Sequence, residues 1–402
     1  MAAFPDSVTV YRLRPLTRFL RLRVAQGEET VEFIPSDTLF AALVAVAAEQ
    51  WGQRAAAALG EAFGGSEPPF LLTGAFPALP HLRFFPRPAA WSPGPGKALK
   101  RLRWVSEGLL ARLARGEPVK DEDLFPSEGG EEPERTLAKI APVRLLRAER
   151  SQLPRPMQRG DLAAWRLWDA AFQRPAVVVS RGGGRTFLYD IAMARYGPQV
   201  SWWAAFAWGA RAEETAWPGG PSWRGLIESA LRALGDRGIG GMRSRGGGAF
   251  QLELDSTPLA LSVASAPYVV TLSRYHPRED ELEAGALSDP KAAYRLVTVG
   301  GWAAIPGRPD QPRRPIGMVE AGAVLRADGR FPLGTLVDAR LNPNDLERFP
   351  HPLWRYGLAF PIPWTGLPPA SDRLSEGPEG KPESDPEEAS DGPVSVADHH
   401  PE

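Results

Sequence analysis

The stretch Gly235-Asp-Arg-Gly-Ile-Gly-Gly-Met-Arg-Ser-Arg-Gly-Gly-Gly-Ala-Phe250 is the most informative part of the chain. It holds seven glycines and three arginines in sixteen residues, a density that ordinary loops seldom reach. Glycine permits positive φ angles and lets another backbone or a phosphate come close. Arginine carries a flat fork of donors that matches phosphate oxygens. The composition indicates either a long glycine-rich turn or a loop that binds an anion.

The flanking residues predict a helix before this stretch and a strand after it. Apolar residues recur at helical spacing from Trp223 to Leu234, with Pro221 near the start and Gly235 at the end. Residues 250–254 alternate as a strand does. A P-loop or a dinucleotide fingerprint needs the reverse order, a strand followed by glycines and a helix. Nucleotide binding is therefore disfavoured, and no cofactor is expected.

The loop resembles the glycine-rich loop of the RAMP superfamily, the RNA-binding proteins of CRISPR effector complexes. The matching pattern is Gly-hydrophobic-Gly-Gly-x-Arg-Ser-x-Gly-x-Gly-x-Phe, from Gly238 to Phe250. A glycine turn that only joins a helix to a strand is the alternative. The resemblance implies that the following loop residues bind RNA: Gly240, Gly241, Arg243, Ser244, Arg245, Gly246 and Gly248.

Other fragments resemble one family of this superfamily, the fourth subunit of type III-A (Csm) effector complexes. Residues 35–43 resemble the start of its first helix, and later fragments follow the order of its C-terminal half. These later fragments are Gly-Gly-Trp302, Glu320-Ala-Gly322, Gly334-x-Leu-Val-Asp338 and His351-Pro-x-x-x-Tyr-Gly357. The resemblance covers residues 8–363 and is densest after residue 230.

The fold implied by this resemblance is α+β, with two ferredoxin-like (RRM-like) domains packed together and the glycine-rich loop at their junction. We place the N-terminal domain with its inserted loops at 1–175 and the C-terminal domain at 176–366. Residues 367–402 are predicted to be a disordered acidic tail. This segment contains few apolar residues and many acidic ones, so it cannot bury a core.

The charge distribution favours a nucleic-acid partner. The 402-residue chain has a formal net charge of −1, but the residues from Ser371 onward carry −8 and the body +7. Arginines account for 41 of the 47 basic residues. They cluster at Arg181/Arg185, Arg237/Arg243/Arg245 and Arg313/Arg314. Such clusters suit a phosphate-binding surface, although a GC-rich genome also enriches arginine.

Two aromatic or β-branched segments precede the glycine-rich stretch. Residues 175–179 are predicted to form a buried strand, followed by a glycine turn between Arg181 and Arg185 and a second strand that ends at Tyr189. We count the two arginines among the RNA-binding candidates. Residues 200–210 are rich in tryptophan, and we interpret them as packed core rather than as a base-stacking platform.

Two further RNA-binding candidates lie outside the loop. Ser36 and Asp37 stand at the predicted start of a helix, where either side chain is able to cap the helix. Free N–H groups at such a start also attract anions, so Ser36 is a candidate. His276 is able to stack on a base or to hydrogen-bond to it. A simple cap and a structural histidine are the alternatives.

As implied by the family, the chain is a non-catalytic subunit that holds the 5′ repeat-derived tag of crRNA in antiviral defence. It would dock the large polymerase-like (palm-domain) subunit and the backbone RAMP subunit. The first alternative is a RAMP-type endoribonuclease that processes precursor crRNA. Such cleavage usually needs a histidine beside the scissile 2′-OH, but no histidine precedes His81, and Asp37 remains as an acid. The second alternative is a scaffold without RNA contact.

Missing residue types exclude further classes. The absence of cysteine excludes disulfides and thiolate metal sites, and the five histidines show no ligand spacing. No metal is therefore expected. Residues 1–15 lack the pattern of a signal peptide, and the most apolar run is too short to span a bilayer. We expect a cytoplasmic protein without membrane contact.

Overall fold

The structure is a computed structural model that describes residues 7–22, 30–65, 67–92, 102–126, 142–179, 186–264, 266–303, 311–344 and 352–366. Residues up to Pro368 group into one compact unit. Three predictions fall outside the described residues: the acidic tail 367–402, the turn that contains Arg181 and Arg185, and the histidine at the start of the last family fragment.

The described residues form six α-helices and twenty-one β-strands. The helices are α1 Ser36–Trp51, α2 Gln53–Glu61, α3 Glu107–Ala114, α4 Arg155–Gln158, α5 Trp223–Arg237 and α6 Glu279–Glu283. The strands are β1 Ser7–Pro15, β2 Phe19–Leu20, β3 Phe70–Leu72, β4 Phe76–Leu79, β5 Leu82–Pro86, β6 Trp104–Ser106, β7 Leu124–Phe125, β8 Val143–Leu146, β9 Trp168–Val179, β10 Thr186–Tyr196, β11 Ser201–Trp208, β12 Phe250–Leu254, β13 Tyr268–Thr271, β14 Leu296–Val299, β15 Trp302–Ala303, β16 Gln311–Pro312, β17 Ile316–Val319, β18 Val324–Arg326, β19 Gly334–Asp338, β20 Trp354–Leu358 and β21 Pro361–Pro363.

A nine-stranded sheet forms the centre of the fold. Its order is β12-β1-β11-β4-β5-β6-β8-β7, with β3 also paired to β11. All pairs in this sheet are antiparallel except β6 with β8. Every residue of β11 is buried, which places its three tryptophans in the core as predicted. A strand covered on both faces has no need for alternating polar residues.

Helices α1 and α5 pack against each other, and α1 also packs against β20. Helix α5 begins after Ser222, whose hydroxyl accepts a hydrogen bond from the N–H of Gly225. The helix ends at Gly238 rather than at the predicted Gly235. Gly235 is an interior helical residue, and a Cβ there would lie 2.4 Å from the carbonyl oxygen of Phe250. This glycine therefore serves close helix–strand packing and does not terminate the helix.

The α+β class is confirmed, but the predicted boundary at 175/176 does not fall in a linker. Strand β9 crosses this boundary, and β1 pairs with β11 and β12 from the other side of it. The remaining sheets are small, with the orders β2-β10-β9, β18-β13-β21, β14-β17, β15-β16 and β19-β20. The division into two ferredoxin-like domains stays a prediction.

The prediction that residues 175–179 form a buried strand is wrong at the positions the structure describes. Strands β9 and β10 form a long hairpin, and among the described strands only β2 pairs with it, at its base. Val177, Phe187, Leu188 and Tyr189 of its outer half are exposed. Their branched and aromatic side chains fit the β conformation and need not indicate burial. None of the described helices is both long enough and apolar enough to cross a bilayer.

Candidate nucleic-acid interface

The glycine loop, residues 238–249, is held to strand β2 and the residues on either side of it. The N–H of Gly241 donates to the carbonyl of Arg21 (2.8 Å), and the N–H of Gly248 donates to that of Phe19 (3.3 Å). The Thr17 hydroxyl donates to the carbonyl of Gly246. Both sides of the loop are therefore fixed by the carbonyls of Phe19 and Arg21 and the hydroxyl of Thr17, and the middle lies outside these contacts.

Two glycines of the loop permit contacts that a side chain would block. Gly248 has φ +67, and a Cβ there would lie 2.0 Å from the carbonyl oxygen of Ile239. Gly240 has φ +84, and a Cβ there would lie 2.5 Å from the carbonyl oxygen of Arg21. Positive φ strains other residues, and backbone atoms at these distances have no freedom to move aside. The predicted loop glycines thus set its conformation.

The exposed tip of the loop carries the predicted arginines. Met242 and Gly246, both left-handed at φ 62 and φ 78, flank a 3₁₀ turn that spans Arg243–Arg245. The turn residues Arg243, Ser244 and Arg245 are exposed. Within the described ranges neither guanidinium has an ion-pair or hydrogen-bond partner. The N–H groups of Arg243 and Ser244 likewise donate to no described backbone acceptor. Two cations and two peptide donors therefore face solvent at one place.

Ser36, another predicted RNA contact, is buried instead. It is 1% exposed, and its hydroxyl accepts a hydrogen bond from the N–H of Arg274 (2.9 Å). The predicted cap by Ser36 or Asp37 is also wrong, because Pro35 occupies the N-cap position and no side chain caps α1. The Ser36 hydroxyl is therefore buried and already hydrogen-bonded, and contact between Ser36 and RNA stays a prediction.

His276, the last predicted contact, is partly buried beside strand β17. Its Nδ1 lies 3.0 Å from the carbonyl oxygen of Gly317, and its backbone N–H donates to the carbonyl of Gly357. Both contacts suit the structural alternative. Contact between His276 and RNA stays a prediction.

Sequence reasoning missed a buried ion network, which we call the junction network, around Asp37 at the start of α1. Asp37 is completely buried, and its two carboxylate oxygens accept from Arg274 Nη1 (3.0 Å) and Arg355 Nη1 (2.9 Å). Arg274 also donates from Nε and Nη2 to the two oxygens of Glu320, at 3.1 Å each. Burial alone would lower the pKa of Arg274, but Asp37 and Glu320 raise it above the usual arginine value.

Arg313 belongs to the same network but has no carboxylate within hydrogen-bond distance among the described residues. Burial, and then the positive charge of Arg355, lower the pKa of Arg313 to about 10. Its Nε is buried and makes no hydrogen bond in the described part of the chain. The negative charge of Asp37 offsets part of this shift, and Arg313 is the arginine of the network that has no described carboxylate within hydrogen-bond distance.

The residues of the network lie in or near segments that the sequence analysis singled out, but no sequence pattern predicted that they touch. Asp37, Glu320 and Arg355 lie inside the quoted family fragments, and Arg274 lies two residues before the candidate histidine. Nothing in their spacing shows that four separate segments meet. Metal binding finds no support from the described residues, where no three His, Asp or Glu side chains come together. The absence of a metal stays a prediction.

Comparison with known proteins connects this architecture to a family. Residues 264–364 match the CRISPR Csm4 C-terminal domain. The protein named CRISPR system Cms protein Csm4 from Mycobacterium tuberculosis is 33% identical over 150 residues, which are 36% of this chain and 45% of that protein. The protein of the same name from Thermococcus onnurineus is 29% identical over 143 residues, 34% of this chain and 38% of that protein. The alignments thus span less than half of these relatives.

Residues 264–364 therefore carry a domain of the Csm4 kind. Two solved structures share the fold of the chain over most of its length. A Csm3-Csm4 subcomplex of the type III-A CRISPR-Cas interference complex matches with a TM-score of 0.57 at 14% identity, covering 89% of this chain and 99% of the other. A Csm1-Csm4 cassette in complex with cA4 matches with a TM-score of 0.50 at 17% identity, covering 90% and 100%.

The matched domain contains most of the junction network. Arg274, Glu320, Arg355 and Arg313 lie within residues 264–364, whereas Asp37 and Ser36 lie on α1, far outside it in sequence. The network therefore joins the family domain to the first helix of the chain. The glycine loop lies just before the matched range and packs on residues 17–21.

Proposed function

We propose that the chain is a non-catalytic, RNA-holding subunit of a type III-A CRISPR ribonucleoprotein. In this function the tip of the glycine loop binds phosphates of the 5′ repeat-derived tag of crRNA. The supporting observation is that Arg243 and Arg245 are exposed on a turn held by hydrogen bonds on both sides, and that neither side chain has a partner among the described residues. Arginine forks and peptide N–H groups are the usual donors to phosphate oxygens.

The rigidity of the loop supports this assignment. A phosphate contact gains affinity when its donors are already in place, because less conformational entropy is lost on binding. The backbone contacts to residues 17–21 and the left-handed residues on either side of the turn provide this order. Because phosphate contacts carry no sequence information, recognition of the tag needs additional contacts with its bases.

The alternative function, cleavage of precursor crRNA, finds less support. Asp37, the acid that the sequence left available, is buried, and both of its oxygens are occupied by arginines. A general acid or base has to reach the proton that it transfers. His276 has a backbone contact at Nδ1 and no described carboxylate partner.

The partner subunits are part of the proposal. The two solved structures with this fold contain Csm4 together with Csm3 and with Csm1. We extend this arrangement to the present chain, which would dock a backbone RAMP subunit of the Csm3 kind and a large palm-domain subunit of the Csm1 kind.

The test is the binding of a short labelled RNA that carries the 5′ tag, compared with a scrambled RNA, at several salt concentrations. The double substitution Arg243→Ala/Arg245→Ala removes two phosphate contacts. It should lower the slope of log affinity against log salt by about two and weaken tag binding roughly 10–100-fold. Arg232→Ala, an exposed arginine on α5, is the matched control.

Equal binding of tag and scrambled RNA by wild type and by both variants would contradict the proposal for the isolated chain. The same comparison is then made in a complex reconstituted with the partner subunits. Metal-independent cleavage of repeat RNA by the purified wild-type protein would favour the endoribonuclease.

A further inference from the structure

A second basic site lies away from the glycine loop, in a cleft of about 260 Å³ between the end of β5 and the turn before β18. We call it the arginine cleft. Its cations are Arg87, Arg103 and Arg295, and its acids are Glu32 and Glu320. None of its lining residues belongs to the glycine loop or to the segment that holds the loop.

Backbone hydrogen bonds fix the three arginine-bearing segments around the cleft. The N–H of Arg87 donates to the carbonyl of Arg103 (2.8 Å), and the N–H of Glu320 donates to that of Arg295 (2.9 Å). The N–H of Ala89 donates to the carbonyl of Gly322 (2.8 Å). Three segments distant in sequence thus hold their arginines at one cleft.

Gly322 makes this arrangement possible. Its φ is +92, and a Cβ there would lie 2.6 Å from the carbonyl oxygen of Arg87. The turn after Glu320 therefore approaches the end of β5 only because residue 322 has no side chain. The Glu-x-Gly fragment of the sequence corresponds to this contact.

Both acids of the cleft accept hydrogen bonds from other residues. Arg87 and Arg295 have no carboxylate within hydrogen-bond distance among the described residues. Glu32 is buried and accepts from Arg103 Nη1 (3.2 Å) and Trp104 Nε1 (3.3 Å). Both oxygens of Glu320 are occupied by a network arginine, and Arg295 Nη2 is 3.9 Å from the nearer oxygen.

Arg87 donates only to a carbonyl among the described residues, from Nη1 to Trp91 (2.7 Å). Burial, and then the positive charge of Arg295, lower the pKa of Arg87. Arg87, which has no carboxylate partner among the described residues, and Arg295, whose ion pair with Glu320 is long at 3.9 Å, line the same cleft, and their positive charges repel. An anion between them would relieve this repulsion and would gain two guanidinium contacts.

We propose that the arginine cleft is a second anion site and that it binds a phosphate group of single-stranded RNA or of a nucleotide. Arg87 and Arg295 are the phosphate-binding residues, and Arg103 lies at the rim with its charge shared with Glu32. Arginine forks favour phosphate because its oxygens accept two parallel hydrogen bonds.

The test measures binding of a labelled single-stranded RNA without a tag to the full chain by fluorescence anisotropy, over a range of salt concentrations. Arg295→Ala should reduce affinity roughly 5–10-fold and lower the salt slope by about one. Arg232→Ala is the matched control, since both side chains are 65% exposed, and it should change affinity less than about twofold. Arg87→Gln should have the same effect as Arg295→Ala.

Equal affinities for Arg295→Ala and Arg232→Ala would overturn the proposal. Because Arg295 is an exposed side chain, loss of folding does not confuse the result, and unchanged thermal melting verifies this. The effect should persist in the Arg243→Ala/Arg245→Ala background, because separate sites contribute additively. This comparison separates a failure of the proposed anion site in the cleft from a failure of the proposed RNA contact at the loop.

Competition identifies the source of the phosphate. Displacement of the RNA by ATP from wild type, but not from Arg295→Ala, supports a nucleotide phosphate as sufficient ligand. If RNA binding depends on Arg295 but ATP does not displace the RNA, the ligand is a phosphodiester group within an RNA chain. Displacement by polyglutamate as effective as that by ATP would overturn the assignment to phosphate.

Discussion

The glycine loop and the junction network use the same residue type in opposite ways. Arg243 and Arg245 are exposed and have no partner within the described part of the chain. Arg274 and Arg355 are buried and share the carboxylate of Asp37. An arginine neutralised inside the protein contributes to structure, whereas one left unpaired on a rigid turn keeps its charge for an external anion. Burial and pairing, rather than arginine content, therefore separate the two roles.

The contrast has an energetic consequence. Removing one partner of a buried ion pair leaves an uncompensated charge and costs about 3–5 kcal/mol. Removing an exposed arginine without a partner changes stability by less than about 0.5 kcal/mol. Substitutions in the junction network should therefore lower the free energy of unfolding strongly. Substitutions in the glycine loop should have little effect on unfolding but should weaken RNA binding.

The largest expected effect is that of Asp37→Ala. It leaves Arg274 and Arg355 buried without their shared carboxylate, so the free energy of unfolding should fall by about 3–5 kcal/mol. The shift of the urea unfolding midpoint measures this loss. Asp236→Ala, an exposed carboxylate on α5, is the control and should change the midpoint little. A loss below about 1 kcal/mol for Asp37→Ala would mean that water compensates the two arginines.

The sequence predicted the local elements of this architecture better than their assembly. Helix α1, helix α5 and strand β12 follow from periodicity within single segments. The exposure of Phe187 and Leu188 could not be predicted from periodicity, because β-forming residues have the same sequence pattern whether or not other elements cover the strand. The junction network was also missed, since Asp37 and Arg355 are separated by more than three hundred residues and no local pattern records their contact.

The glycine loop and the start of α1 also differ in how far the sequence predicts them. The loop could be predicted because its glycines, arginines and phenylalanine are consecutive, and the local geometry at Gly248 requires glycine. The cap predicted for Ser36 was wrong, because Pro35 occupies the N-cap position and Ser36 is the first residue of the helix. The deciding fact, the contact of the Ser36 hydroxyl with the N–H of Arg274, is tertiary.

A smaller effect is expected from Gly248→Ala, which tests whether the loop geometry needs glycine. The positive φ costs about 1–2 kcal/mol, and the collision of Cβ with the Ile239 carbonyl adds about 1–3 kcal/mol. Gly219→Ala is the matched control, since it has φ +76 but no atom within 4 Å of the added Cβ. Urea unfolding should place Gly248→Ala clearly below Gly219→Ala. Equal losses would show that the loop adjusts around the methyl group.

The smallest effect on folding is expected from Arg243→Ala/Arg245→Ala. Because neither side chain has a partner in the part of the chain that the structure describes, the free energy of unfolding without RNA should stay within about 0.5 kcal/mol of wild type. Saturating tag RNA should stabilise wild type by about 2.7 kcal/mol at a hundred times its Kd, and at the same RNA concentration it should stabilise the variant less, because a ligand stabilises only the state that binds it. Thermal melting with and without RNA measures both quantities on one sample. A loss above about 1 kcal/mol in the RNA-free variant would mean that the arginines hold the loop together, and the distinction between the loop and the junction network would then fail.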